Sequence, residues 1–311
     1  MTANGVTAES DAAADGAVAL RTSGLGRRYR GVWALRDCSL SIPAGRVVAL
    51  VGPNGAGKTT LIHMIVGLLT PTEGEVRIFG AATGRDRVAF VAQDKPLYNG
   101  FTVAETLRFG RTLNPGWDDA MARRRLADLD IPLRRKVGAL SGGQRTQVAL
   151  TMALAKRPDL LVLDEPLADL DPLARHDVIR GLMAAVAEHG TTVLLSSHVV
   201  SDLEGTCDWL VMLNRGRVQV SGDLDDLVAS HRLLTGPAEA ADDIAARLPV
   251  VARTVSGRQA SLLVRDPAPP ADPRWTSHAI GLNDLIVTYL RDPHAGASRH
   301  LSAVPGRVPA E

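Results

Sequence analysis

The sequence predicts an α/β fold built on a mostly parallel sheet, and three observations carry that expectation. Short apolar runs alternate with longer helical patterns from about residue 18 to about residue 225. The apolar run at 46–51 enters the glycine-rich stretch GPNGAGKTT, residues 52–60, and a second apolar segment follows from Leu61, which reads as strand, turn and helix. Leu160-Leu161-Val162-Leu163 is apolar throughout, as a strand buried on both faces requires.

Taken in order, residues 18–25 read as an opening strand, closed by Arg27-Arg28-Tyr29-Arg30. A second strand covers 39–42 before the turn Pro43-Ala44-Gly45, and Thr70-Pro71-Thr72-Glu73-Gly74 is a strong turn signal after the first helix. Strands at 75–79 and 88–92 follow, the second ending at Gln93. The N-terminal strands are expected to be antiparallel. From 102 to 136 the pattern turns helical and charged, with a break at Asn114-Pro115-Gly116, so an inserted helical subdomain is placed at about 94–157. Its last helix opens at Leu140-Ser141-Gly142-Gly143-Gln144. Beyond Asp164-Glu165-Pro166 come a helix at 172–188, a strand at 192–196 leading to His198, and a helix at 200–205. A strand at 209–213, the hairpin turn Asn214-Arg215-Gly216 and a strand at 218–220 complete a main domain spanning 18–230.

The remainder, 231–291, reads as a small α+β accessory domain. It holds a helix at 238–248, a hairpin of 250–255 and 260–264, a proline-rich linker at 266–273, and a helix whose apolar face is Leu282, Leu285, Ile286, Tyr289 and Leu290. Residues 1–17 and 292–311 are expected to be a disordered leader and tail.

Composition narrows the functional classes. Thirty-five basic residues balance 34 acidic ones, without the basic stripe of a nucleic-acid binder, so no nucleic-acid partner is expected. Cys38 and Cys207 are the only cysteines, too far apart for metal-type spacing, which suits a reducing compartment. No apolar run reaches the ~18–20 residues of a membrane-spanning helix, and the start is polar and acidic rather than signal-like. The expectation is a cytoplasmic protein that meets a membrane only through a partner.

The chemistry begins at the glycine-rich turn. Gly52 to Thr59 has the spacing G-x-x-x-x-G-K-T, in which backbone N–H groups turn inward around phosphates and the helix N-terminus favours anions. Lys58 would reach the β/γ-phosphates of a nucleotide and the Thr59 hydroxyl would ligate Mg²⁺. An ordinary glycine-rich turn is the plainer reading; Lys58 and Thr59 in register, behind a buried-type strand, argue against it. Asp164, ending the apolar strand, could hold Mg²⁺, and Glu165 could polarise an attacking water.

GPNGAGKTT, Gln93, LSGGQ, LLVLDEP, Ala168-Asp169-Leu170-Asp171 and His198 occur once each and in one order. Together they resemble the nucleotide-binding subunit of an ATP-binding cassette (ABC) transporter, over about residues 18–225. LSGGQ is the most specific of them. The resemblance implies a phosphate-loop ATPase cassette using ATP and Mg²⁺. Gly52, Pro53, Asn54, Gly55, Ala56, Gly57, Lys58, Thr59 and Thr60 would form the phosphate loop, Tyr29 would stack on adenine, and Gln93 would touch the metal or the attacking water. Ser141, Gly142, Gly143 and Gln144 would meet ATP held by another subunit, Asp169 and Asp171 would lie at the seam between subunits, and His198 would contact the γ-phosphate.

Leu167 and Ala168 stand where the family often has a hydroxyl residue. NPGWDD at 114–119 and GLNDLIVTYL at 281–290 resemble bacterial subunits serving ABC-2 type exporters. The implied partners are a membrane permease on a separate chain, docking near 95–101, and a second ATPase subunit. The alternative is a soluble ABC ATPase acting on ribosomes, DNA or cluster assembly, which the single cassette, balanced charge and lack of long insertions disfavour.

Overall fold

A computed structural model describes residues 18–82, 85–168, 170–197, 205–265 and 272–291. The expected leader, the C-terminal tail, Asp169, His198 and nearly all of the helix anticipated at 200–205 lie outside the described residues.

Strands β1 (Val18–Tyr29) and β2 (Val32–Pro43) form a hairpin turned at Arg30 and Gly31, both with positive φ. Strand β4 (Glu73–Ile78) pairs antiparallel with the other edge of β1. Both hairpin strands run further than the sequence suggests. The ladder continues through Arg28↔Trp33 and Tyr29↔Val32, but four register shifts interrupt the alternation by which a strand is read.

The central sheet has the order β5-β6-β7-β3-β8-β9. Strands β3 (Val47–Val51), β5 (Val88–Val91), β6 (Leu160–Leu163), β7 (Thr192–Ser197) and β8 (Trp209–Asn214) are parallel, and β9 (Arg217–Asp223) returns antiparallel along β8. Residues of β3, β6 and β7 are buried without exception, because both faces of the sheet are covered. On one face, helix α1 (Lys58–Ile65) and the antiparallel sheet close a core through Leu20, Leu35, Leu50, Ile62, Val162 and Leu194. The other face packs helices α4 (Gly142–Ala155) and α5 (Pro172–His189) around Leu154, Leu161, Leu163, Leu182 and Leu195. Helices α2 (Val103–Leu113) and α3 (Asp119–Asp128) join α4 in a separate cluster that includes Leu107, Leu126 and Val148.

Past α6 (Leu224–Ser230), four antiparallel strands form the sheet β11-β12-β10-β13. These are β10 (Arg232–Pro237), β11 (Val250–Ser256), β12 (Gln259–Val264) and β13 (Thr276–Ala279). Neither β10 nor β13 is legible beforehand: β10 ends in Gly-Pro, and β13 is a polar edge strand. The helix anticipated at 238–248 shortens to a 3₁₀ turn and α7 (Ala241–Ala245). Helix α8 (Leu282–Arg291) buries Leu282, Leu285, Ile286 and Tyr289 in the same cluster as Leu210 and Met212 of the central sheet.

A buried polar pair ties α8 to α6. His231 Nδ1 lies 2.6 Å from the Leu227 carbonyl and Nε2 lies 2.9 Å from the Tyr289 hydroxyl. The carbonyl can only accept, so Nδ1 carries the proton and Nε2 accepts from Tyr289. Burial lowers the His231 pKa below its ordinary value and raises that of Tyr289 to about 12. A histidine held neutral in the fold takes up a proton more readily when unfolded, so its contribution is complete above the ordinary histidine pKa. That contribution is lost as the pH falls from there toward the folded value. Thermal unfolding followed from pH 8 to 5 should therefore show a decline on the acid side that is shallower in His231→Gln. The difference is expected to be at most about 1.4 kcal/mol per pH unit; identical slopes would remove His231 as a cause.

Candidate functional site

The glycine-rich loop of residues 52–60 hangs between the buried strand β3 and helix α1, and at Gly52 and Gly57 the surrounding chain leaves no room for a side chain. A Cβ on Gly52 would lie 2.3 Å from the Leu213 carbonyl oxygen. One on Gly57, where φ is 104°, would lie 2.8 Å from Leu35 Cδ2. The loop is pinned from outside as Gly216 N–H donates to the Ala56 carbonyl at 3.0 Å. Inside it, Lys58 Nζ donates to the Gly52 carbonyl at 2.8 Å and, more weakly, to that of Pro53 at 3.5 Å. Only 6% of the Lys58 side chain is exposed. Burial lowers its pKa, while the charges of Glu165 and Asp164 pull it back up. Pro53, Asn54, Gly55 and Thr59 of this stretch are exposed, and Thr60 is half-buried.

The second part of the site comes from the end of β6. In the parallel sheet Leu163 aligns with Leu195 of β7, and Leu50 of β3 aligns with Ser196. Alternation then turns Asp164 and Ser196 toward the face that α1 covers. Asp164, 3% exposed, accepts a 2.7 Å hydrogen bond from the Ser196 hydroxyl. The same hydroxyl oxygen accepts the Glu165 N–H at 2.8 Å. Glu165 has φ of 46°, a left-handed backbone that a non-glycine residue adopts at a cost. Its carboxylate lies 3.9 Å from Lys58 Nζ and 3.4 Å from Gln93 Nε2, and Gln93 is itself exposed at the end of β5. Lys58, Asp164, Glu165 and Gln93 thus converge at the carboxyl ends of β3, β5 and β6. In an open α/β sheet this is the edge where ligands bind.

The remaining anticipated residues sit apart. Tyr29 is 42% exposed at the end of β1, with the Arg27 guanidinium 4.8 Å from its ring centre. Ser141 caps α4 in a reciprocal capping box with Gln144, and Gly142 lies exposed at that helix start. A side chain at Gly143 would come within 3.3 Å of Ala174. Asp171 caps α5, accepting the Ala174 N–H at 2.9 Å.

Two residues escaped sequence reasoning. Ser196 is one; its signal was a buried-type strand, TVLLSS, ending in hydroxyl groups that need partners. Arg145 is the other: from α4 it donates to the carbonyls of Lys95 at 3.3 Å and Leu97 at 3.2 Å, tying the segment after Gln93 to the helix that Ser141 opens. Beside that segment, Tyr98, Phe101 and Phe109 form an exposed aromatic patch with ring centres 5.1–6.4 Å apart.

Residues that could hold a divalent cation are Thr59, Asp164 and Gln93. All three offer hard oxygen donors and only one is a carboxylate, a set suited to Mg²⁺ shared with phosphates. Among the described residues no cluster of three or more His, Cys, Asp or Glu side chains is disposed to bind a metal without such help. No helix of the described residues is long and apolar enough to cross a membrane.

The family profile described as ABC transporter matches residues 35–168. Nod factor export ATP-binding protein I of Cupriavidus pinatubonensis is 34% identical over 261 residues, covering 78% of this chain and 79% of that protein. The daunorubicin/doxorubicin resistance ATP-binding protein DrrA of Streptomyces peucetius is 36% identical over 228 residues, covering 68% and 67%. A bacterial ABC transporter cassette solved as a dimer superposes with a TM-score of 0.59 at 26% identity, over 66% of this chain and 98% of the other.

Proposed function

The chain belongs to the ATP-binding subunits of ABC transporters, and from that premise we propose that it powers export through a membrane permease on a separate chain. It is an ATPase of that family, with the phosphate-loop α/β fold. The observation that carries the catalytic reading is the convergence of Lys58, Asp164 and Glu165 at one sheet edge. Export is favoured by relatives named for Nod factor export and for drug resistance.

In the proposed cycle ATP lies along the loop of residues 52–60, its adenine against Tyr29. Lys58 exchanges the Gly52 carbonyl for the β/γ-phosphates. Thr59, Asp164 and Gln93 would hold Mg²⁺, which when bound neutralises charge on those phosphates. Glu165 takes a proton from the attacking water as that water bonds to the γ-phosphorus; the bond to the β-phosphate oxygen breaks, and ADP and phosphate leave. Ser141 through Gln144 stand at a helix N-terminus and on a different element from the phosphate loop, so they suit the γ-phosphate of ATP held by a second ATPase subunit. In this reading Asp169 and Asp171 belong to the seam between subunits, and His198 contacts the γ-phosphate. ATP favours the closed pair, and hydrolysis reopens it. The aromatic patch of Tyr98, Phe101 and Phe109 is assigned to the permease, which would keep the protein on the cytoplasmic face of the membrane. No nucleic-acid partner is proposed.

The test is to express tagged Glu165→Gln in the native cell and extract membranes in mild detergent with ATP. A stoichiometric multi-spanning membrane protein should co-purify. Recovery of ribosomal or DNA-bound partners instead would transfer the assignment to the non-transport class of ABC ATPases.

A further inference from the structure

We infer that Ser196 is a positioning residue for hydrolysis, one hydroxyl that sets the metal-binding carboxylate and the general base together. The inference rests on the proposed roles of Asp164 and Glu165, and adds to them a group that touches neither nucleotide nor water.

The geometry leaves the hydroxyl little choice of orientation. Ser196 is fully buried at the end of β7, which lies between the strand of the phosphate loop and the strand of Asp164. Its single proton goes to Asp164 Oδ1 at 2.7 Å, while its oxygen accepts the Glu165 N–H at 2.8 Å. The first bond orients a carboxylate that is 3% exposed and cannot turn to water for partners. The second satisfies the backbone N–H of a residue whose φ of 46° must be maintained by its surroundings. The neighbouring Asp164 N–H is occupied by the Val91 carbonyl at 2.9 Å, so the segment is held from β5 on one side and β7 on the other. A serine hydroxyl can donate once and still accept. Alanine can do neither, and the Glu165 N–H would lose its partner with it.

Loss of a partner behind a metal ligand typically lowers metal affinity or activity by about 10- to 100-fold. Ser196→Ala should therefore reduce kcat by about 10- to 100-fold. It should also weaken Mn²⁺ binding to the protein loaded with a non-hydrolysable ATP analogue, measured by electron paramagnetic resonance, by about tenfold or more. Binding of the analogue without metal should be unchanged, and Ser196→Thr, which keeps the hydroxyl, should restore both quantities. A merely structural serine would lower Tm and leave Mn²⁺ affinity and kcat of the folded fraction intact; that result overturns the inference. If Ser196→Ala does not fold, Ser196→Thr is compared with Ser196→Cys, whose thiol is a poor donor. Threonine should then match the wild type and cysteine should lose kcat and Mn²⁺ affinity, and equal behaviour of the two overturns the inference. A wild-type protein that fails to hydrolyse ATP would instead count against the proposed catalytic site, whereas an active wild type with an indistinguishable Ser196→Ala counts against Ser196 alone.

Discussion

Glu165→Gln is expected to cut phosphate release by about 10²- to 10⁴-fold while ATP still binds. The substitution keeps size and shape, so contacts of the side chain near Gln93 can persist, but it removes the proton acceptor. It also leaves the backbone arrangement in place, since the Glu165 N–H bond to Ser196 does not depend on the side chain. Because hydrolysis is the proposed exit from the closed pair, ATP and Mg²⁺ should drive the variant into a stable dimer that size-exclusion chromatography resolves from monomer. Retention of near-normal turnover would remove Glu165 from the role of base. A variant that stalls hydrolysis yet elutes only as monomer would keep the base and count against pairing of two copies of this chain.

Lys58→Ala should act earlier, on binding. The Lys58 side chain is 6% exposed, and its ammonium group lies 3.9 Å from Glu165 and spans the loop to the Gly52 carbonyl. A charge-assisted hydrogen bond of this kind is worth about 1.5–3 kcal/mol. At about 1.4 kcal/mol per factor of ten, ATP affinity should drop by one to two orders of magnitude, with turnover lost altogether. Titration with a fluorescent ATP analogue and a phosphate-release assay separate the two effects. Hydrolysis close to the wild-type rate would overturn the assignment of the phosphate loop. The two variants differ in a useful way, since Glu165→Gln should trap nucleotide that Lys58→Ala cannot hold.

Much of this protein was legible in its amino-acid order because the relevant information is local. A strand, a glycine-rich turn and a helix are consecutive segments, so the arrangement around Gly52 to Thr60 could be read from spacing and residue type. The buried run Leu160–Leu163 announced a covered parallel sheet for the same reason, and Ser141 with Gln144 announced a helix start. The resemblance to ABC transporter subunits rested on such short stretches too, and the family comparison bears it out.

Other features depend on partners far along the chain. The extension of the β1–β2 hairpin into its charged segment, and the polar edge strand β13, exist because neighbouring strands supply hydrogen bonds that no residue pattern advertises. Helix α8 has an apolar face that is plain in the sequence, but its burial with Leu210 and Met212, and its link through Tyr289 to His231, are consequences of packing. Ser196 is the sharpest case. Thirty-two residues separate it from Asp164, and only the parallel register of β6 and β7 brings its hydroxyl to that carboxylate and to the Glu165 N–H. The sequence by itself determined which groups could do the chemistry, since those are matters of residue type and local spacing. The tertiary structure alone decided how they are aimed, because orientation is set by hydrogen bonds between strands distant in the chain.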